Sequence, residues 1–166
     1  MQEFVSAILE AIRLVATLDS DLFEIVGLSM RVSLTAVAIA CLIGLPVGAS
    51  LAIANFPGLR FFAVTINALM GLPPVVVGLI VYLLLSNTGP LGWLELLYSP
   101  TAMIIAQTIL VMPIVAALSR QVIEDLNAEY AEQFRSLSVP VRTMVVTLLW
   151  DARHSLTTVA LAGFGR

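Results

Sequence analysis

Apolar residues run almost unbroken through three stretches of this chain, and charges mark their ends. The first charge-free run is Val32 to Leu59, between Arg31 and Arg60. The second is Phe61 to Leu94, closed by Glu95, and the third is Leu96 to Ser119, closed by Arg120. Each exceeds the ~20 apolar residues that cross about 30 Å of hydrocarbon. The turn-forming stretches "NFPG" (55–58) and "SNTGPLG" (86–92) trim them to three predicted transmembrane helices, near 26–54, 61–86 and 101–122.

The flanks are patterned differently. Val5, Ile8, Leu9, Ile12 and Val15 recur at helical spacing, interrupted by Glu3, Glu10 and Arg13. This predicts an amphipathic helix within 1–25, lying on the membrane or packed on the bundle. It lacks the basic start and unbroken apolar stretch of a signal peptide. Leu126, Tyr130, Phe134 and Leu137 form one apolar stripe, while Glu129, Glu132, Gln133, Arg135 and Ser136 occupy the other faces. The pattern predicts a short helix over 126–137, with Asn127 as its N-cap and a stop at Ser138-Val139-Pro140, where a second short helix begins. The stretch between Arg153 and Arg166 would cover only about 18 Å as a helix, too little to span. It predicts the start of an incomplete fourth transmembrane helix, at 154–166.

The predicted fold is therefore all-α: a polytopic transmembrane helix bundle with about three complete spans plus an incomplete fourth. Composition agrees. The 166 residues are 60% hydrophobic and 11% charged, against roughly 45–50% and 25% in soluble domains. The net charge of -3 argues against a nucleic-acid partner and leaves the lipid bilayer as the surrounding phase. Arg120, Arg135, Arg142 and Arg153 cluster after the third run, whereas 87–100 carries no base. The positive-inside rule puts 123–153 in the cytoplasm, 87–100 outside and the N-terminal segment outside. Trp93 and Tyr98 then suit an outer interfacial belt.

Three features bear on mechanism. Ala36, Ala40, Gly44, Gly48 and Ala52 fall at four-residue steps, leaving one helix face nearly bare. Such faces let helices approach closely in lipid, within one chain or between subunits. In the second run, Pro73 and Pro74 interrupt the helix and free carbonyls at membrane depth. With the amides of Asn67 and Gln107 they form either a translocation path or a packing kink. Third, the 126–137 helix is acidic on its polar face. Membrane-surface helices favour bases there, so a protein partner fits better than lipid; a solvated loop helix is the alternative.

With those residues in view, the chain resembles the membrane permease subunits of binding-protein-dependent ABC importers, of the type I fold. Such subunits carry a cytoplasmic Glu-Ala-Ala-x-x-x-Gly motif followed by Ile-x-Leu-Pro. Here Glu132 matches, Gln133 and Phe134 stand at the two alanines, Ser138 stands at the glycine, and Leu148, Leu149, Trp150 and Asp151 stand at the later motif. "GLPPVVVGLIVYLLLSNTGPLG" and "TAMIIAQTILVMPIVAALS" are most similar to tungstate-type permeases, then to sulfate and molybdate ones.

The resemblance implies a multi-pass protein of the cell (inner) membrane, homodimeric around a central path. It implies an ABC ATPase subunit bound at a coupling helix made by Tyr130, Glu132, Gln133, Phe134, Leu137 and Ser138, and a periplasmic or extracellular substrate-binding protein. The cargo would be an inorganic oxyanion: tungstate, or else molybdate or sulfate. The chain has no lysine for a phosphate-binding loop, no His/Cys cluster and no nucleophile–base set, so neither an enzymatic role nor a cofactor is expected. The competing expectation is a truncated, transport-incompetent remnant of such a permease.

Overall fold

The structure, a computed structural model, describes Phe4, Ser6, residues 20–53 and residues 57–165. The amphipathic segment expected in 1–25 falls mostly outside these residues, as do Asn55 and Phe56 of the first expected turn. Every regular element described is helical: α1 (Ser20–Ile53), α2 (Leu59–Met70), α3 (Pro74–Leu85), a 3-10 turn (Gly92–Leu94), α4 (Pro100–Ser136), α5 (Val141–Asp151) and α6 (Arg153–Phe164). Two helices, α1 and α4, are long and apolar enough to cross a membrane, and α2 with α3 makes a third crossing if the bent pair is one span.

α1 begins six residues before the expected start, with Asp21 in its first turn, where a carboxylate is favoured by the helix dipole. It packs along α4 in the same sense. Gln107 Nε2 donates to Ser33 Oγ (3.2 Å), and twelve residues further along both helices Ser119 Oγ donates to the Leu45 carbonyl (3.3 Å); both pairs are 74 residues apart. Parallel running at one fixed offset requires an odd number of crossings between the two helices, which the bent α2–α3 pair supplies. Ala36, Ala40, Gly44 and Gly48 are all buried on this face. A Cβ at Gly44 would lie 3.0 Å from Val115 Cγ1, and one at Gly48 would strike the Ala116 carbonyl and approach the Arg120 nitrogen to 2.9 Å. The two main chains therefore touch, which only residues of this size permit. Ala52, at the end of the stripe, is half-buried against the Ala49–Ile123–Leu148 cluster.

The second expected span is not one helix. α2 and α3 meet at a bend of 99° across Gly71–Pro73. Pro73 is the N-cap of α3 and Pro74 its first residue, positions where a missing N–H costs nothing. Gly71 instead ends α2, donating to the Ala68 carbonyl (3.1 Å).

The third expected span and the separate helix over 126–137 are one continuous α4. It is 37 residues long, about 55 Å at 1.5 Å rise. Ser99 caps its start, accepting from the Ala102 nitrogen (3.3 Å). Asn127 is therefore not an N-cap but a residue inside the helix. No glycine or proline interrupts 114–137, the Arg120–Glu124 ion pair (2.6 Å) bridges one turn, and fully buried Ile123 anchors the polar segment to the core. A single asparagine costs a helix interior well under 1 kcal/mol, too little to stop it.

α5 and α6 fold back onto α1 and α4. Leu148, Ala152 and Leu156 pack with Ala49 and Ile123, and Val159 packs with Ala40, Val111 and Val115. Gly163 brings α6 against Val111.

Candidate coupling elbow and membrane break

The elbow follows from the end of α4. Ser138 adopts φ 49, in the left-handed region. Its nitrogen donates to the Arg135 carbonyl (3.2 Å) and that of Val139 to the Phe134 carbonyl (3.2 Å), the paired bonds of a Schellman stop. Glycine is favoured there, since a side chain in this region costs about 1–2 kcal/mol. Pro140 then caps α5. The chain reverses direction within four residues because a left-handed turn and a proline follow each other.

The six residues expected to dock a partner do not share one face. Tyr130 and Phe134 are half-buried and pack against the Ile123–Leu148–Ala152 cluster. Their rings meet edge to face at 6.0 Å. Tyr130 Oη donates to Asp151 Oδ2 (2.9 Å), which ties α4 to the end of α5. That bond, with the carboxylate's negative charge, raises the tyrosine pKa above its ordinary value. Glu132, Gln133, Leu137 and Ser138 are exposed. Tyr130 and Phe134 of the expected coupling set are thus partly covered from within the chain by α5 and α6. Leu137 lies past that cover, 73% exposed.

Val141, Val146 and Trp150 are exposed apolar residues of α5, and of these the sequence named only Trp150, at the later motif. Asp151 was named there only as a motif position, and its role as partner of Tyr130 was missed. Its signal was present: a charged residue stands where the resembled motif has proline. Inside the elbow, Asn127, Phe134, Arg135, Ser138 and Met144 line an open cavity of about 490 Å³ that reaches Ile53 of α1.

The second group lies at the membrane break. Pro73 and Pro74 are exposed at the bend, and Asn67 is exposed one turn earlier on α2. Gln107 is not joined to them: its amide is turned to Ser33 and holds α4 to α1. The buried side of α3, Val77, Val81 and Leu85, faces Ala102, Ile105 and Ala106 of α4. The proline break is therefore open on its outer side. No cluster of three or more His, Cys, Asp or Glu residues suited to a metal occurs among the described residues.

Known proteins share this arrangement of sequence. Residues 44–160 match the family described as the binding-protein-dependent transport system inner membrane component. The tungstate uptake system permease protein TupB of Peptoclostridium acidaminophilum is 35% identical over 156 residues, which is 94% of this chain and 68% of that protein. A probable anion ABC transporter permease protein of Haloferax volcanii is 34% identical over 87% of this chain and 62% of its own length. TupB of Campylobacter jejuni is 36% identical over 64% of this chain and 45% of its own length. The chain thus spans about two thirds or less of these relatives. A family match over most of the chain and a relative at this identity agree with an all-helical membrane fold, and the chain belongs to the binding-protein-dependent transport system inner membrane components, the permease subunits of ABC importers.

Proposed function

We propose that the chain lines the route by which an inorganic oxyanion enters the cell, with tungstate as the first substrate and molybdate or sulfate as the alternatives. The observation that carries this reading is similarity at 35% and 36% identity to two tungstate uptake permeases. ATP is hydrolysed on a separate ABC ATPase subunit, and a periplasmic or extracellular binding protein delivers the ion. Two copies of the permease enclose the path.

Geometry supports a division of labour. The break at Pro73 and Pro74 sets the start of α3 in the middle of an apolar segment. A helix start within the membrane presents partial positive charge, which favours an anion over a cation. Asn67 adds a neutral amide beside it. Gln107 contributes by fixing α4 to α1 rather than by meeting the ion. The elbow is the contact for the ATPase, through Glu132, Gln133, Leu137 and Ser138 together with the outward residues of α5, while Tyr130 and Phe134 hold the elbow's shape.

The test is tungsten accumulation in cells that lack their own tungstate permease. The chain is expressed with its ATPase and binding protein, and tungsten is measured by mass spectrometry. Accumulation that rises with all three subunits and vanishes when the ATPase is inactivated is the expected result. Accumulation no higher than in empty cells sinks the proposal. Competition by molybdate and sulfate ranks the three oxyanions.

A further inference from the structure

A second cavity lies away from both the elbow and the proline break. It is an open groove of about 480 Å³ between α1 and the α5–α6 corner. Leu42, Leu45 and Pro46 form one wall and Leu149, Leu156 and Ala160 the other. Arg153 also lines it. The depth of Arg153 is set by its neighbours. Leu156, about one turn further along α6, packs on Ala49 of α1, and a Cβ on the adjacent Gly48 would come within 2.9 Å of the Arg120 nitrogen. Arg153 thus stands at the arginine-bearing margin of the apolar bundle.

Its charge is not neutralised there. Arg153 Nη1 donates to the Trp150 carbonyl (3.1 Å), and its guanidinium sits 5.3 Å from the centre of the Trp150 ring. Among the described residues the ion pair is Arg120–Glu124, and Arg153 meets no carboxylate. The nearby Asp151 carboxylate accepts from Tyr130 instead. Trp150 is 72% exposed at the same corner.

We infer that this groove holds an anionic phospholipid, one acyl chain lying between α1 and α6 and the phosphate on Arg153. An apolar trough lined by a guanidinium that meets no carboxylate among the described residues complements both halves of such a lipid. Basic pockets between transmembrane helices recognise anionic headgroups by this combination. A second protein helix without a carboxylate at this level would fill the trough but leave the guanidinium uncompensated. The lipid would brace the α5–α6 corner, and with it the base of the elbow.

The experiment is native mass spectrometry of the whole chain, released from detergent containing phosphatidylglycerol or phosphatidylcholine with identical acyl chains. One basic residue at an anionic membrane surface corresponds to about a five-fold preference, so phosphatidylglycerol is expected to be retained about five-fold more. Arg153→Gln should bring the two lipids to parity, while Arg142→Gln, on the exposed side of α5, leaves the preference intact. Ala160→Phe should lower retention of both lipids; Thr157→Leu serves in its place if that variant melts early. Equal retention of the two lipids by the parent overturns the inference, as does an equal loss in Arg142→Gln. Displacement of the lipid by millimolar inorganic phosphate would mean a free-anion site instead. Disulfide formation between copies at Cys41, which lines the groove, would mean that a second chain fills it.

Discussion

Gly48 of α1 faces the main chain of Ala116 on α4 so closely that a β-carbon cannot fit between them. Gly27, on the same helix, has nothing within 4 Å of the corresponding position. The two glycines separate helix propensity from packing. Gly27→Ala should stabilise the chain by up to about 1 kcal/mol, the propensity difference alone. Gly48→Ala should destabilise it by about 1–3 kcal/mol, the usual cost of overpacking. Thermal unfolding in detergent gives both signs. A neutral Gly48→Ala would show that α1 and α4 are not in backbone contact.

Ser138 carries a strained backbone at the elbow. Ser138→Gly should relieve the left-handed penalty while adding some unfolded-state entropy, for a net gain of about 0.5–1 kcal/mol. Ser138→Val should lose stability at the same site. A melting temperature unmoved by either substitution would contradict the left-handed geometry.

The bond from Tyr130 to Asp151 sets a pH limit on the elbow. Because the folded pKa is raised above the ordinary tyrosine value of about 10, the tie is fully present below that value. It is lost as pH rises through the higher folded pKa, when Oη can no longer donate. Spin labels placed on α4 and α5 should separate only at pH above about 10, and Tyr130→Phe should abolish that transition. A separation beginning near neutral pH would mean that another group controls the joint.

Burial divides the coupling residues into braces and contacts. Phe134→Ala should lower stability by about 2 kcal/mol, part of the full large-to-small cost because the ring is half-buried. Leu137→Asp and Trp150→Ala should leave the melting temperature nearly unchanged and weaken co-purification of the ATPase. If Phe134→Ala retains its stability but loses the ATPase, the ring meets the partner directly and the proposed division fails.

Orientation is read by labelling. In a Cys41→Ser background, a cysteine at Asn87 should react with an impermeant thiol reagent added outside intact cells, and one at Ser138 should not. The reverse pattern would invert the topology.

Much of this arrangement was legible in the chain. The four-residue spacing of Ala36, Ala40, Gly44 and Gly48 announces a close helix contact, because small residues at that interval have no other packing consequence in lipid. Spacing alone is silent about the partner, which proves to be α4 of the same chain. Pro73 and Pro74 announce a break, but the 99° bend depends on how α3 packs on α4, a tertiary term. The unbroken course of α4 through Asn127 was misread because a local capping signal was weighed without the burial of Ile123. The cover over Tyr130 and Phe134 was not legible for a related reason. A periodic stripe reports that something covers it, and α5 and α6, later in the chain, do so.

The fixed offset between α1 and α4 has a mechanical side. Each helix contains one interior proline, Pro46 in α1 and Pro113 in α4, Pro100 being the first residue of α4. With partners 74 residues apart, Pro46 stands level with Arg120, and Pro113 stands about two turns away along the pair. A proline removes one main-chain bond and makes a helix easiest to flex at that point. Here each soft point lies opposite an intact stretch of the neighbouring helix, which acts as a splint. Bending at one proline must strain the sound helix beside it, so the pair resists flexing at either place and moves as a single beam. A proline moved to the level of its counterpart would turn that beam into a hinge.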